Sequence, residues 1–189
     1  MYIQFQPTKV VQASSVLLRS LDSREMEYLR LLKLLYIADR ESLKLTGRPI
    51  IGNHAVAMKN GPLHSEIYDL IRGTHAFEQV WSAHISKQGY AVRLVSDPGV
   101  LDLSEQEIEI LHDVAERHRN DSTWDVVELT HTFHEWRKNY REGTSSPIPL
   151  EDILAGVGFS EEDRAAILSD LEEAHASERL FPSRPHVVA

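Results

Sequence analysis

Leu31-Leu32-Lys33-Leu34-Leu35-Tyr36-Ile37-Ala38-Asp39-Arg40 is apolar at almost every position. Apolar residues spread all round a helical period, rather than along one stripe, mark a helix enclosed by other elements. Upstream, Glu25 follows Asp22 at capping-box spacing, and downstream Gly47 suits the left-handed residue that ends a helix. The run therefore predicts a central helix from about Asp22-Ser23 to Thr46, with the rest of the fold wrapped around it. Lys33, Asp39 and Arg40 lie inside it, and charges in such a place need partners.

Outward from this helix the pattern changes several times. A first helix is expected after Phe5-Gln6-Pro7, capped by Thr8 and burying Val10, Ala13, Leu17 and Leu21. Residues 48–64 lack helical spacing. Pro49, Gly52 and Asn60-Gly61-Pro62 mark turns there, and Ala55 to Met58 reads as a short strand or a turn of helix. Ser65 is placed to cap a short helix that Gly73 ends.

Trp81, Ala83 and Ile85 then alternate with polar residues, as do Tyr90, Val92 and Leu94 after Lys87-Gln88-Gly89. Period two around a glycine turn predicts a β-hairpin near residues 79–96. Helices return with Ser104 and Glu107 in capping-box spacing, with Ser122 as a second cap, and with Phe133 to Tyr140. Gly143 to Pro147 reads as a linker, and Ser160 caps a last helix with Ile167, Leu168, Leu171 and Ala174 on one face. The expected fold class is mainly α (α+β). A compact helical domain over 1–142 carries one hairpin, an acidic helical unit follows over 143–181, and a flexible tail covers 182–189.

Composition excludes several function classes. A chain of 189 residues and 21.5 kDa is one domain, or one domain with an appendage. Cysteine is absent, which removes disulfides, a thiol nucleophile, an iron–sulfur cluster and a cysteine zinc site. No apolar run approaches the roughly 20 residues of a membrane helix, and the first residues lack the pattern of a signal peptide. A cytoplasmic location is expected. The net charge of −9 is uneven: residues 142–178 carry ten acids against one base, Arg164. Such a chain is repelled by nucleic acid and suits a basic protein partner.

No GxxxxGK[ST], GxGxxG or GxSxG motif is present. Glu109/His112, Glu128/His131 and Glu172/His175 form three E-x-x-H pairs, the spacing by which one helix face offers two metal ligands. A di-iron site needs further glutamates from other helices. The acids of the first two helices, Asp22, Glu25, Glu27, Asp39 and Glu41, offer no clear placement for them. A metal-dependent enzyme is thus the runner-up reading, and no catalytic residue, metal or cofactor is assigned. Ser122 to His131 resembles a DNA-reading helix in position only, since it holds Asp125 and Glu128 and no Lys or Arg. Trp81, Trp124 and Trp136 are each either core or exposed contact residues.

Two stretches taken together resemble a known family. The first joins the Leu31 to Arg40 run with Thr46-Gly47-Arg48-Pro49-Ile50, Ala57-Met58-Lys59-Asn60-Gly61-Pro62-Leu63 and Glu66-Ile67-Tyr68-Asp69. The second joins Leu103 to Ile108 with Leu129-Thr130-His131 and Glu135-Trp136. This order, over roughly residues 10–141, resembles the Panacea domain, also described as SocA-like and phage-associated. The resemblance implies an antitoxin of a toxin–antitoxin system that binds a protein toxin. It acts either by direct neutralisation or as an adaptor to a ClpXP-type protease. A phage-encoded regulator of a host protein is a further alternative. The matched motif positions are Tyr36, Asp39, Gly61, Pro62, Tyr68, Thr130, His131 and Trp136, expected to hold the fold more than to touch one toxin. Partner contacts are expected instead at Lys87, Gln88 and Gly89 and on the acidic C-terminal unit.

Overall fold

The structure, a computed structural model, describes residues 5–52 and 54–180. The expected tail over 182–189 lies outside the described residues. In chain order the elements are α1 (Pro7–Arg19), β1 (Glu25–Glu27), α2 (Tyr28–Thr46), β2 (Ala55–Met58), β3 (Gly61–His64), α3 (Ser65–Arg72), α4 (Glu78–Ser82), β4 (Ile85–Gln88), β5 (Ala91–Leu94) and α5 (Glu105–Arg117). They continue as α6 (Thr123–His131), α7 (His134–Asn139), β6 (Ser146–Pro147), α8 (Leu150–Gly156) and α9 (Glu161–Leu180). The class is mainly α with two small antiparallel sheets, ordered β1-β5-β4 and β3-β2-β6.

Helix α2 is the axis. Every residue from Leu31 to Asp39 is buried, and α1, α5, α6, β3 and α8 all pack on it. Its two sides build two cores. One joins α2 to α1, α3, α5 and the β4–β5 sheet. The other joins Tyr36 and Leu43 to Ala55, Ala57, Ile148, Ile153 and Leu154. The C-terminal segment is therefore seated on α2. Burial of Ile153 and Leu154 contributes roughly 1.5–3 kcal/mol each to that seat. On α9, Leu171 is buried and Ile167, Leu168 and Ala174 are partly buried, the face that the sequence spacing marks.

Local signals hold where the structure needs only neighbours. Ser104 with Glu107 and Ser122 with Asp125 form full capping boxes, and Gly47 ends α2 at φ 70°. Several boundaries differ. α2 begins at Tyr28, because Glu25–Glu27 pair with β5 as a third strand instead of extending the helix. Gln6, not Thr8, precedes the first turn of α1, and Pro7 occupies its start, where a missing N–H costs nothing. Ser65 opens α3 without capping it and donates to the His54 carbonyl.

The hairpin is shorter than its alternation suggests. Trp81 lies in α4, and its four-residue spacing to Ile85 fits a helical turn as well as a strand. A second hairpin, β2–β3, closes through Lys59-Asn60. Gly61 and Pro62 thus sit on strand β3 rather than in the turn. β3 is a sheet edge, where a residue lacking N–H is tolerated. Ser146 and Pro147, expected within a linker, pair with β2.

Candidate functional site: a buried polar hub on the central helix

Asp39 is 4% exposed, deep on α2, and its carboxylate accepts three backbone N–H groups. Ile50 and Ile51 donate to Oδ1 at 2.9 and 2.8 Å, and Gly52 donates to Oδ2 at 3.1 Å. One side chain thereby fixes the loop that leads into β2. His64, at the end of β3, brings Nε2 to 3.1 Å from the same carboxylate, at an angle too poor for a hydrogen bond. Asp39→Ala should leave three buried N–H groups unpaired and cost about 3 kcal/mol or more. Asp39→Asn keeps one carbonyl acceptor and should cost less. Urea unfolding of the two variants should rank them in that order.

The next residue, Arg40, meets Glu135 of α7. Nε donates to Oε1 at 2.6 Å, and the other guanidinium arm reaches Glu135 Oε2 and the Gly156 carbonyl. Tyr36 Oη donates to Glu135 Oε1 at 3.1 Å. Burial and the adjoining carboxylate hold the Tyr36 phenol well above its usual range, so it stays a donor. Phe133 closes this group, with the Arg40 guanidinium 3.9 Å above its ring. Gly156 approaches so closely that a Cβ there would overlap the Glu135 carboxylate.

The remaining motif residues clamp the β2–β3 hairpin. Lys33 is fully buried and donates to the Pro62 carbonyl at 2.7 Å. Desolvation lowers its ammonium pKa to about 7. Gly61 has φ 90°, and a Cβ there would overlap Thr130 Oγ1. Thr130 itself is turned inward, donating to the Val127 carbonyl. Trp136 Nε1 donates to the Met58 carbonyl at 3.0 Å, and its ring stacks between His131 at 4.1 Å and Tyr140 at 4.9 Å. Desolvation first, and the Lys33 charge second, lower the His131 pKa, against a hydrogen bond with the Lys59 backbone.

Tyr36, Asp39, Gly61, Pro62, Thr130, His131 and Trp136 thus come together around one hairpin and one loop. Tyr68 does not join them; it stacks on Tyr28 at the outer surface. Lys87, Gln88 and Gly89 are exposed at the tip of the other hairpin, where Gly89 has φ 60°. Trp81 is core and Trp124 is 61% exposed. Sequence reasoning asked for partners for Lys33 and Arg40 but left Glu135 out of the site. Its only signal was its place directly before Trp136, since its partner Arg40 is 95 residues away.

A cavity of about 40 Å³ lies between Tyr36, Asp39, Arg40 and His64 on one side and Ile148, Leu150 and Ile153 on the other. It has room for a few waters and is walled mainly by apolar groups. The three E-x-x-H pairs sit on α5, α6 and α9. Among the described residues no three His, Asp or Glu side chains are gathered as a metal ion would need. No helix of the described residues is long and apolar enough to cross a membrane.

Searches of curated proteins and of solved structures return no match. The profile described as antitoxin SocA-like, Panacea domain, matches residues 31–137, more than half of the chain. The matched span begins at the buried run of α2 and ends one residue after Trp136, so it encloses the hub residues from Lys33 to Trp136, while Tyr140 and Gly156 lie beyond it. The chain belongs to the antitoxin SocA-like Panacea domain family.

Proposed function

We propose that this chain is a cytoplasmic antitoxin that neutralises a cognate protein toxin by binding it directly. The observation that carries this reading is the family match over residues 31–137. The placement of the motif residues supports it. They are spent on holding a loop and a hairpin, as a binding scaffold requires, and they do not converge on a substrate-sized cleft. Residues 1–142 form the scaffold in this reading. The acidic unit from residue 143 onward is tied to it through β6 and the second core.

The test is growth. Expression of the gene beside this one should arrest cells, and co-expression of this chain should restore them. A neighbour that is harmless alone contradicts the antitoxin reading. Restored growth with toxin loss that needs a ClpXP-type protease would make the chain an adaptor instead of a direct blocker.

A further inference from the structure

We infer that the partner-facing surface is the tyrosine ladder Tyr90–Tyr28–Tyr68 with its flanking cations, and that it takes an acidic segment of the partner protein. This deepens the antitoxin reading and rests on it. The ladder joins three elements. Tyr28 opens α2, Tyr68 lies on α3 and Tyr90 ends the β4–β5 turn. Tyr28 stacks on Tyr90 at 6.1 Å and on Tyr68 at 6.2 Å. The Tyr28 N–H donates to the Tyr90 carbonyl at 2.8 Å, which pins the hairpin tip to the helix. Tyr90 is nonetheless 76% exposed. Tyrosines held this way offer large contact area with little ordering left to do, the usual property of interface anchors. Beside them a cleft of about 130 Å³, lined by Tyr28, Leu29, Met58 and Tyr68, has room for an apolar side chain.

Three cations flank the ladder. Lys87 lies over the Tyr28 ring at 5.5 Å and Arg72 over Tyr68 at 5.3 Å, while Lys59 rims the cleft. All three are exposed, and none has a carboxylate within ion-pair distance among the described residues. On α3, Asp69 stands three residues before Arg72 and accepts from the Thr74 hydroxyl, and Glu66 pairs with His54. Glu25 pairs with Arg93, and Glu27, opposite Ala91 and Gln88 in the sheet register, faces away from the Lys87 side. Strand register therefore puts Lys87 with the ladder and Glu27 behind it. In a chain of net charge −9 whose acids concentrate in residues 142–178, this face is a local positive site. Such a division steers an acidic segment to the ladder and repels it from the C-terminal unit. It differs from the expectation of a basic partner, which rests on net charge alone. A nucleic acid strand has the same sign, but its long run of phosphates would meet the acidic bulk of the protein.

The test uses the full chain and three labelled probes: a short peptide of Asp, Glu, Leu and Phe, its Asn/Gln counterpart, and a single-stranded thymidine oligonucleotide. Fluorescence anisotropy should show the acidic peptide binding at least about tenfold tighter than the neutral one. Lys59→Glu/Arg72→Glu/Lys87→Glu should remove that preference, and Tyr90→Ala should weaken it. Lys44→Glu, on the exposed end of α2, should not. Equal binding of the two peptides, indifference to the triple variant, or preference for the oligonucleotide overturns the inference. In the growth assay the triple variant, checked for an unchanged melting curve, should fail to rescue. Rescue by the triple variant would overturn the ladder and leave the antitoxin reading standing. Failure of the unaltered chain to rescue would overturn that reading, while the peptide assay still decides the ladder.

Discussion

Arg40→Met should destabilise the chain by about 3–5 kcal/mol at neutral pH, one of the largest effects of any single substitution here. The reason is the carboxylate left behind. Glu135 is fully enclosed, and its charge is met by the Arg40 guanidinium, with the Tyr36 hydroxyl as the other donor. Removing the cation leaves a buried anion with one neutral donor, and it also strips the Gly156 carbonyl of a partner. Arg40→Met/Glu135→Met removes both charges and fills similar volume. It should recover most of the loss, since replacing a whole buried pair is often close to neutral. Urea unfolding of both variants measures the coupling. A single variant that loses less than about 1 kcal/mol would mean that water reaches Glu135 freely.

Lys33→Met should act in the opposite direction. Lys33 is an ammonium in an apolar core with one carbonyl partner, and its pKa falls from 10.5 to about 7. Between those values the unfolded chain holds a proton that the native chain has released. Stability must therefore rise as pH increases through this window, by about 1.4 kcal/mol per pH unit for one proton. Below the native value both states are protonated and the full penalty of burial stands. From about pH 6 to about pH 9 this group should add ~2–3 kcal/mol to the unaltered chain. The methionine variant should lack that rise. At neutral pH it should be more stable by ~2 kcal/mol, the relief of desolvation being partly offset by the unpaired Pro62 carbonyl. Urea midpoints at the two pH values test this. Parallel pH profiles for the two proteins would show that Lys33 is solvated.

These effects bear on function through rigidity. Asp39, Lys33, Trp136 and His131 hold the Ile50–Gly52 loop and the β2–β3 hairpin from beneath. The Lys59-Asn60 turn that they steady borders the cleft beside the tyrosine ladder. Asp39→Ala and Arg40→Met should therefore lower stability and partner affinity together. Variants on the ladder should lower affinity alone.

How much was legible follows from the range of each interaction. The buried run of α2 was readable because nine successive residues carry one message. The capping box at Ser104 and the cap at Ser122 were readable because donor and acceptor lie three residues apart. β1 was read as helix because its pairing partner β5 lies more than 60 residues on, and three residues carry no period of their own. Ser146 and Pro147 looked like linker for the same reason, being paired with β2, about 90 residues back in the chain. Within the site, the need of Lys33, Asp39 and Arg40 for partners was plain from their place in an apolar helix. The identity of those partners was not, because a carbonyl at Pro62, a loop at Ile50 and a carboxylate at Glu135 are brought in only by tertiary packing. The resemblance of motif order supplied what periodicity could not, by grouping Gly61, Thr130 and Trp136 before any contact among them was visible.

Co-purification measures the proposed role most directly. This chain and the product of its neighbouring gene, expressed together, would be passed over a sizing column with light scattering. A single stable complex, with the toxin inactive while bound and active once separated, is the expected result. Separate elution of the two proteins, with the toxin abundant and active beside this chain, would contradict it.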